Sequence, residues 1–366
     1  MSSVPDRGRL LRETLLFDWT RWNPAVAWRS APALALALTA GIAAGSPGAG
    51  LAAAAGAFTT GLGSLQTIGG SCLIPMLLAA VGMAASTFVG MVLGHQSVLF
   101  VLAAGVWAGG YALLTSLKGG TSWVGLQCTV FLLVSSAFHT SPRGALGRCA
   151  LILAGGLLQT LITWAVLRVT KAPCGPDVPD SAPEPGLRDG LATLRHHLSL
   201  RTAVGRYSAR MALVVMAATE VYRHTGFVTG AWVPMTTLLV VRPDLIQTLT
   251  RGTMRVSGTL LGAGLAGVVV EGLHPPPVML AVLVCAFAWC AFATLNVNYS
   301  LFTLNLTAYI VFLLALARLP AATVVQRRAF YTLLGGAIAL LAYVDVFWRT
   351  RRWIRAERAT VAEEAA

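Results

Sequence analysis

Charge is what this 366-residue chain has least of: only 11% of its residues are Asp, Glu, Lys or Arg, and just 14 are acidic. Ordinary soluble domains carry about 25% charged residues. Less than half that proportion cannot cover a 38.4 kDa globule, which excludes a cytosolic enzyme, a secreted domain and a disordered chain. Catalytic signatures are missing too. No G-x-x-x-x-G-K-[ST] run exists, so the chain is not its own ATPase. H-E-x-x-H and G-x-S-x-G are absent, as is any pair of acidic clusters able to hold a metal-bound pyrophosphate. The six cysteines (Cys72, Cys128, Cys149, Cys174, Cys285 and Cys290) form no C-x-x-C pair, and read as neither a disulfide framework nor a metal site. The expectation is a protein that is not an enzyme and needs no cofactor or metal.

Apolar length is what the chain has in abundance. It is 56% hydrophobic, with a mean hydropathy of +0.71. Stretches near 28–46, 49–66, 73–93, 97–116, 122–139 and 145–168 are apolar, and the pattern resumes near 207–222, 227–241, 254–272, 276–295, 301–317 and 328–348. Runs of about 18 residues or more suffice to cross a bilayer core of about 30 Å. The expected fold is an all-α integral membrane protein with about twelve transmembrane helices, arranged as two parallel six-helix repeats. Residues 1–27 form a cytoplasmic N-terminal segment and 28–170 the first repeat. A cytoplasmic linker follows at 171–205, rich in Pro, Asp, Arg and His. Residues 206–348 form the second repeat, and 349–366 a cytoplasmic tail. The second span of each half is short and contains glycine, the pattern of a broken or re-entrant segment.

Three landmarks recur in order between the halves. Arg148 with Gly155 and Gly156 is matched 180 residues later by Arg328 with Gly335 and Gly336. Phe58-Thr59-Thr60 parallels Met235-Thr236-Thr237, and Gly82 parallels Gly258. An even number of spans per half gives both halves the same orientation, related by an axis along the membrane normal, and transport paths form at such interfaces.

The basic excess is large, 27 Lys and Arg for a net charge of +13. In a soluble protein that excess would point to nucleic acid. Here most arginines stand at the ends of apolar runs, where lipid head groups are the partner and no nucleic acid is implied. Putting the N-terminal segment, the linker, the Arg242–Arg255 region and the tail inside leaves both termini cytoplasmic. Arg143, Arg148, Arg223, Arg318, Arg327 and Arg328 then fall on the far side, as exceptions or as residues retained for another reason.

Chemistry concentrates at 230–262. Trp232, Pro234 and Thr236 precede the Arg242-Pro243-Asp244 break, and Arg251 and Arg255 follow, four apart on one helix face. Gly258 and Gly262 are also four apart, a spacing that lets helices pack closely. Arginine stays charged and grips carboxylates bidentately. Arg242, Arg251 and Arg255, with Trp232 and Thr236, are therefore the candidate anion-binding residues, at the inner end of a path between the repeats. The competing reading has the arginines snorkel to lipid phosphates while the glycines only pack.

This patch resembles the signature of the fusaric-acid-resistance-like family, which includes the aromatic acid exporters. The resemblance is carried by Trp232, Thr236, Pro243, Asp244, Thr248, Leu249, Arg251, Arg255, Gly258, Thr259 and Gly262. Plant aluminium-activated malate channels are similar to one such half. The resemblance implies export or conduction of small organic anions, often aromatic carboxylates, across the bacterial inner membrane. The first half departs from it, with Pro75 near the position of Arg251.

Intramembrane acids invite a functional reading. Glu220 is the candidate for proton coupling, whereas Glu271 and Asp345 look interfacial. Asn298 and Asn305, seven apart, read as helix glue. Two alternatives stay open beside the exporter: a passive anion channel of the same fold, and a non-transporting membrane scaffold for cell-envelope enzymes. Duplicated halves are compatible with a monomer, a further homo-oligomer or an envelope partner.

Overall fold

A computed structural model of the chain describes residues 16–117, 119–171, 186–225 and 230–343. Regular structure among them is helical. The first group of helices is α1 (Pro24–Ala43), α2 (Pro47–Leu62), α3 (Leu73–Leu93), α4 (Val98–Leu114), α5 (Gly119–Ser135) and α6 (Pro142–Thr170). A short amphipathic α7 (Leu187–His197) follows. The second group is α8 (Ala203–Thr225), α9 (Trp232–Val240), α10 (Leu245–Leu273), α11 (Pro277–Thr294), α12 (Tyr299–Leu316) and α13 (Ala321–Leu341). Local sequence sets the starts. Asn23 caps α1 by accepting the Val26 N–H at 3.2 Å, with Pro24 at the first helical position. Ser141 and Pro142 start α6 in the same way.

Seven helices among the described residues are long and apolar enough to cross a membrane: α1, α3, α5 with its following turn, α6, α10, α11 and α12. The protein is thus an all-α membrane protein, but seven is fewer than the twelve spans expected. The reasons are physical. Helix α9 has nine residues, or about 13 Å at 1.5 Å per residue. Helices α2 and α4 are also short. Helix α8 carries Arg206, Arg210, Glu220 and Arg223, and α13 carries Arg327 and Arg328.

Helix pairings inside the two groups correspond. Helix α3 packs on α5 and α6, and α10 on α12 and α13. Helix α2 packs on α6, and α9 on α13. Across the groups, α4 meets α8 while α11 meets α1. Two glycine contacts make the correspondence atomic. A Cβ on Gly155 would overlap the Ala53 carbonyl oxygen. One on Gly335 would come within 2.5 Å of the Val233 carbonyl oxygen, and both partners lie 180 residues further on. These helices approach at backbone distance, which only glycine permits.

The cysteines depart from expectation. Cys72 is disulfide-bonded, whereas Cys128, Cys149, Cys285 and Cys290 are free. No C-x-x-C spacing advertises such a bond, so sequence pattern had no signal for it. Asp345 and the tail beyond it lie outside the described residues.

Candidate functional site

Helix α9 is buried on nearly every side, including Trp232, Val233, Thr236, Thr237 and Leu238. A nine-residue helix in that position leaves its ends inside the bundle, where their backbone groups must find partners. At its C-terminal end the chain turns extended through Arg242, Pro243 and Asp244, and Thr248 secures the corner. The Thr248 hydroxyl accepts the Arg242 N–H at 2.9 Å and donates to the Asp244 carbonyl at 2.9 Å. The Tyr207 hydroxyl from α8 donates to the Val241 carbonyl at 3.3 Å. This corner aims the Arg242 side chain at the other helix group, where its Nη1 donates to the Tyr111 hydroxyl of α4 at 3.1 Å.

Arg251 and Arg255 occupy successive turns of α10 and share one partner, Tyr299 at the start of α12. The Arg251 guanidinium carbon lies 3.2 Å from the Tyr299 ring centroid. Arg255 Nη1 donates to the Tyr299 hydroxyl at 3.4 Å. Arg328, from α13, stacks 4.5 Å over the Trp232 ring and is only 2% exposed; Arg255 is 3% exposed. These four arginines, Arg242 at the α9–α10 corner, Arg251 and Arg255 on Tyr299, and the buried Arg328 on Trp232, are called the arginine ladder.

Among the described residues this ladder lacks anionic partners. Among the described residues no carboxylate pairs with any of its four arginines; the ion pairs found are Asp18–Arg21, Glu220–Arg223 and Glu220–His224. Nε of Arg251, Arg255 and Arg328, and Nη1 of Arg328, are buried without a hydrogen-bond partner. The hydroxyls of Thr236, Thr259, Thr303 and Thr307 share that condition. Burying an unpaired guanidinium costs several kcal/mol. Several together, with unused donors and no paired carboxylate among the described residues, are the electrostatic complement of an anion.

Other expected residues fall in different places. Gly258 and Gly262 face α12: a Cβ on Gly258 would overlap the Ser300 carbonyl oxygen, and one on Gly262 that of Leu304. Glu220 takes Arg223 Nη2 at 2.5 Å and His224 Nε2 at 2.9 Å, with its side chain 43% exposed. It stands thirteen residues along α8 from Tyr207, about 20 Å at helical rise, so it is remote from the Arg242 corner. Glu271 accepts the Ala322 N–H at 3.1 Å and caps α13. Asn298 caps α12 and Asn305 bonds to Thr294, at 3.2 Å.

Sequence reading left Arg328, Tyr111 and Tyr207 out of the site. Arg328 did carry a signal, being one of the arginines on the wrong side for the positive-inside pattern. Its counterpart in the first group, Arg148, stacks on Phe138 at 4.6 Å and is half-buried. The position 180 residues before Trp232 is Ala52. The first group thus has neither the arginine pair nor this tryptophan.

Residues 213–342, which hold the whole ladder, match the family model described as fusaric acid resistance protein-like. Inner membrane protein YccS of Escherichia coli is 31% identical over 51% of this chain and 26% of its own length. An uncharacterized protein of Neisseria gonorrhoeae is 29% identical over 45% of this chain and 39% of its own. One of Haemophilus influenzae is 25% identical over 47% and 24%. The chain thus spans between about a quarter and two fifths of the length of these curated relatives. No solved structure matches it. Apolar helices and an inner-membrane relative together define a multi-pass bacterial inner-membrane protein. Over residues 213–342 the chain is similar to the fusaric acid resistance protein-like family.

Proposed function

We propose that the protein exports small organic anions, chiefly aromatic carboxylates, along a route whose cytoplasmic mouth is lined by Arg242, Arg251 and Arg255. The single observation that carries this reading is the ladder of four arginines with no carboxylate partner among the described residues, three of them with buried, unused donors. Trp232 and Thr236 line its inner end, and Arg328 extends it. Tyr111 supports the aromatic preference. It accepts the Arg242 hydrogen bond and also borders an apolar cavity of about 300 Å³ flanked by Trp107, Leu114 and Val124. A ring seated there would lie close to a carboxylate on Arg242.

In this reading the helices form twelve spans in two parallel six-helix repeats, with the short α2 and α9 as broken spans and both termini cytoplasmic. Corresponding helix pairings and the 180-residue glycine contacts support that arrangement. Gly258 and Gly262 hold α10 against α12, so the arginine face keeps its register.

The second reading is a passive anion channel, and the position of Glu220 favours it over coupled export. Glu220, the proton-coupling candidate, is tied to Arg223 and His224 far from the Arg242 corner. An inside-negative potential supplies about 2.3 kcal/mol per charge per 100 mV, enough to expel a monovalent anion without proton exchange. The deciding experiment is flux of labelled hydroxybenzoate from proteoliposomes under an imposed potential, with and without a pH gradient. Arg251→Gln is expected to abolish most of the flux. A response to the pH gradient that Glu220→Gln removes establishes coupling, and flux indifferent to both establishes the channel. No flux above empty liposomes, for this or any small carboxylate, refutes transport and leaves the membrane scaffold.

A further inference from the structure

The segment before α1 binds the far helix group beside the arginines. The Leu16 carbonyl accepts Asn298 Nδ2 at 2.8 Å, the Asp18 N–H donates to the Val297 carbonyl at 3.1 Å, and the Asn23 N–H donates to the Ala293 carbonyl at 3.3 Å. Trp22 and Trp28 clamp Trp289 of α11 edge-on, with ring centroids 5.7 and 5.6 Å apart. Residues 16–23 are therefore a strap across the α11–α12 connection. Asn298 joins the strap to the site. Asn298, 5% exposed, gives its Nδ2 to the strap while its Oδ1 accepts the Ser300 and Leu301 N–H groups, at 2.7 and 3.3 Å. The next residue is Tyr299, whose ring covers Arg251 and whose hydroxyl takes Arg255.

Tyr299 thus occupies the guanidinium face and the donor that a carboxylate would use. We propose that Tyr299 is a closing residue: it satisfies the Arg251–Arg255 pair until an anion displaces it, and the strap, acting through Asn298 as a positioning residue, sets how firmly it closes. The inference rests on the anion-transport reading. Its physical content is competition. A hydroxyl and a ring face are weaker partners for arginine than a carboxylate, so they hold the pair when empty and yield when an anion arrives. Anything that fixes the start of α12 raises the concentration of anion needed to displace the ring.

The test uses the full chain in proteoliposomes, with labelled hydroxybenzoate as probe, and reads half-saturating concentration separately from maximal flux. Asn298→Ser keeps an oxygen able to cap α12 but is too short to reach Leu16. Trp22→Ala loosens the strap without touching α12. Each is expected to lower the half-saturating concentration about fivefold, the equivalent of one neutral hydrogen bond. Tyr299→Leu is expected to lower it at least as far and to make Asn298→Ser silent when the two are combined. A purely structural strap would instead reduce melting temperature and maximal flux and leave the half-saturating concentration unchanged in all three variants, and that result overturns the proposal. If Arg251→Gln transports like wild type, the anion reading itself has failed and the closing role falls with it. If Arg251→Gln abolishes flux while the strap variants keep the wild-type half-saturating concentration, only the closing role is lost.

Discussion

Arg328→Met is the substitution on which a structural role and an anion-binding role part most sharply. The side chain is 2% exposed, stacks on Trp232 and has two nitrogens without partners. As a structural element it is a poor investment. Replacing a buried charged group by an apolar one of similar volume is commonly neutral or stabilising, by about 1–4 kcal/mol. Against that stands the lost stacking on Trp232, about 2 kcal/mol when desolvated. The melting temperature in detergent is therefore expected to hold or rise. Function is expected to move the other way. A charge-assisted hydrogen bond to a carboxylate contributes about 1.5–3 kcal/mol, so half-saturating hydroxybenzoate should increase about ten- to hundredfold. Ligand protection gives the same information without transport. Anion at a hundred times the wild-type Kd stabilises wild type by about 2.7 kcal/mol, and at the same concentration that stabilisation should fall to about 0.4–1.4 kcal/mol in Arg328→Met. A variant that melts several degrees lower yet transports and is protected like wild type would refute the reasoning, since Arg328 would then be a packing residue whose partner the ladder argument overlooks.

Two stability predictions follow from the same helices. Gly258→Ala places a methyl against the Ser300 carbonyl, where backbone must give way; a loss of about 3 kcal/mol is expected, against a change within about 0.5 kcal/mol for Gly264→Ala, whose Cβ meets nothing within 4 Å; denaturation of both in one detergent is the check, and equal effects would refute close α10–α12 packing. Thr248→Val keeps the shape of the corner but strands the Arg242 N–H, for an expected loss of about 1–3 kcal/mol; an unchanged melting curve would mean that Thr248 does not hold the corner.

How much of this was legible in the sequence depends on which physical signal each feature leaves there. Apolar runs mark helices, and the helices stand close to where those runs fall. Spanning by length and composition is a stricter matter, and charged or short segments such as α8, α9 and α13 fail it, because a helix shielded by its neighbours need not be apolar throughout. The face shared by Arg251 and Arg255 was legible because a four-residue spacing has only one meaning on a helix. Arg328 stood out only as an exception to the positive-inside pattern, and its place beside Trp232 was not legible because it arises from tertiary contact: the two are 96 residues apart, and no local period links an arginine on α13 to a ring on α9. The closing role of Tyr299 was hidden for the same reason. In sequence it is merely the residue after Asn298, and only the approach of α12 to α10, permitted by Gly258 and Gly262, brings its ring under a guanidinium. A glycine pair read as mere packing is therefore also what brings that ring within reach of the arginines, and this is why Gly258→Ala should disturb anion affinity before it unfolds the protein.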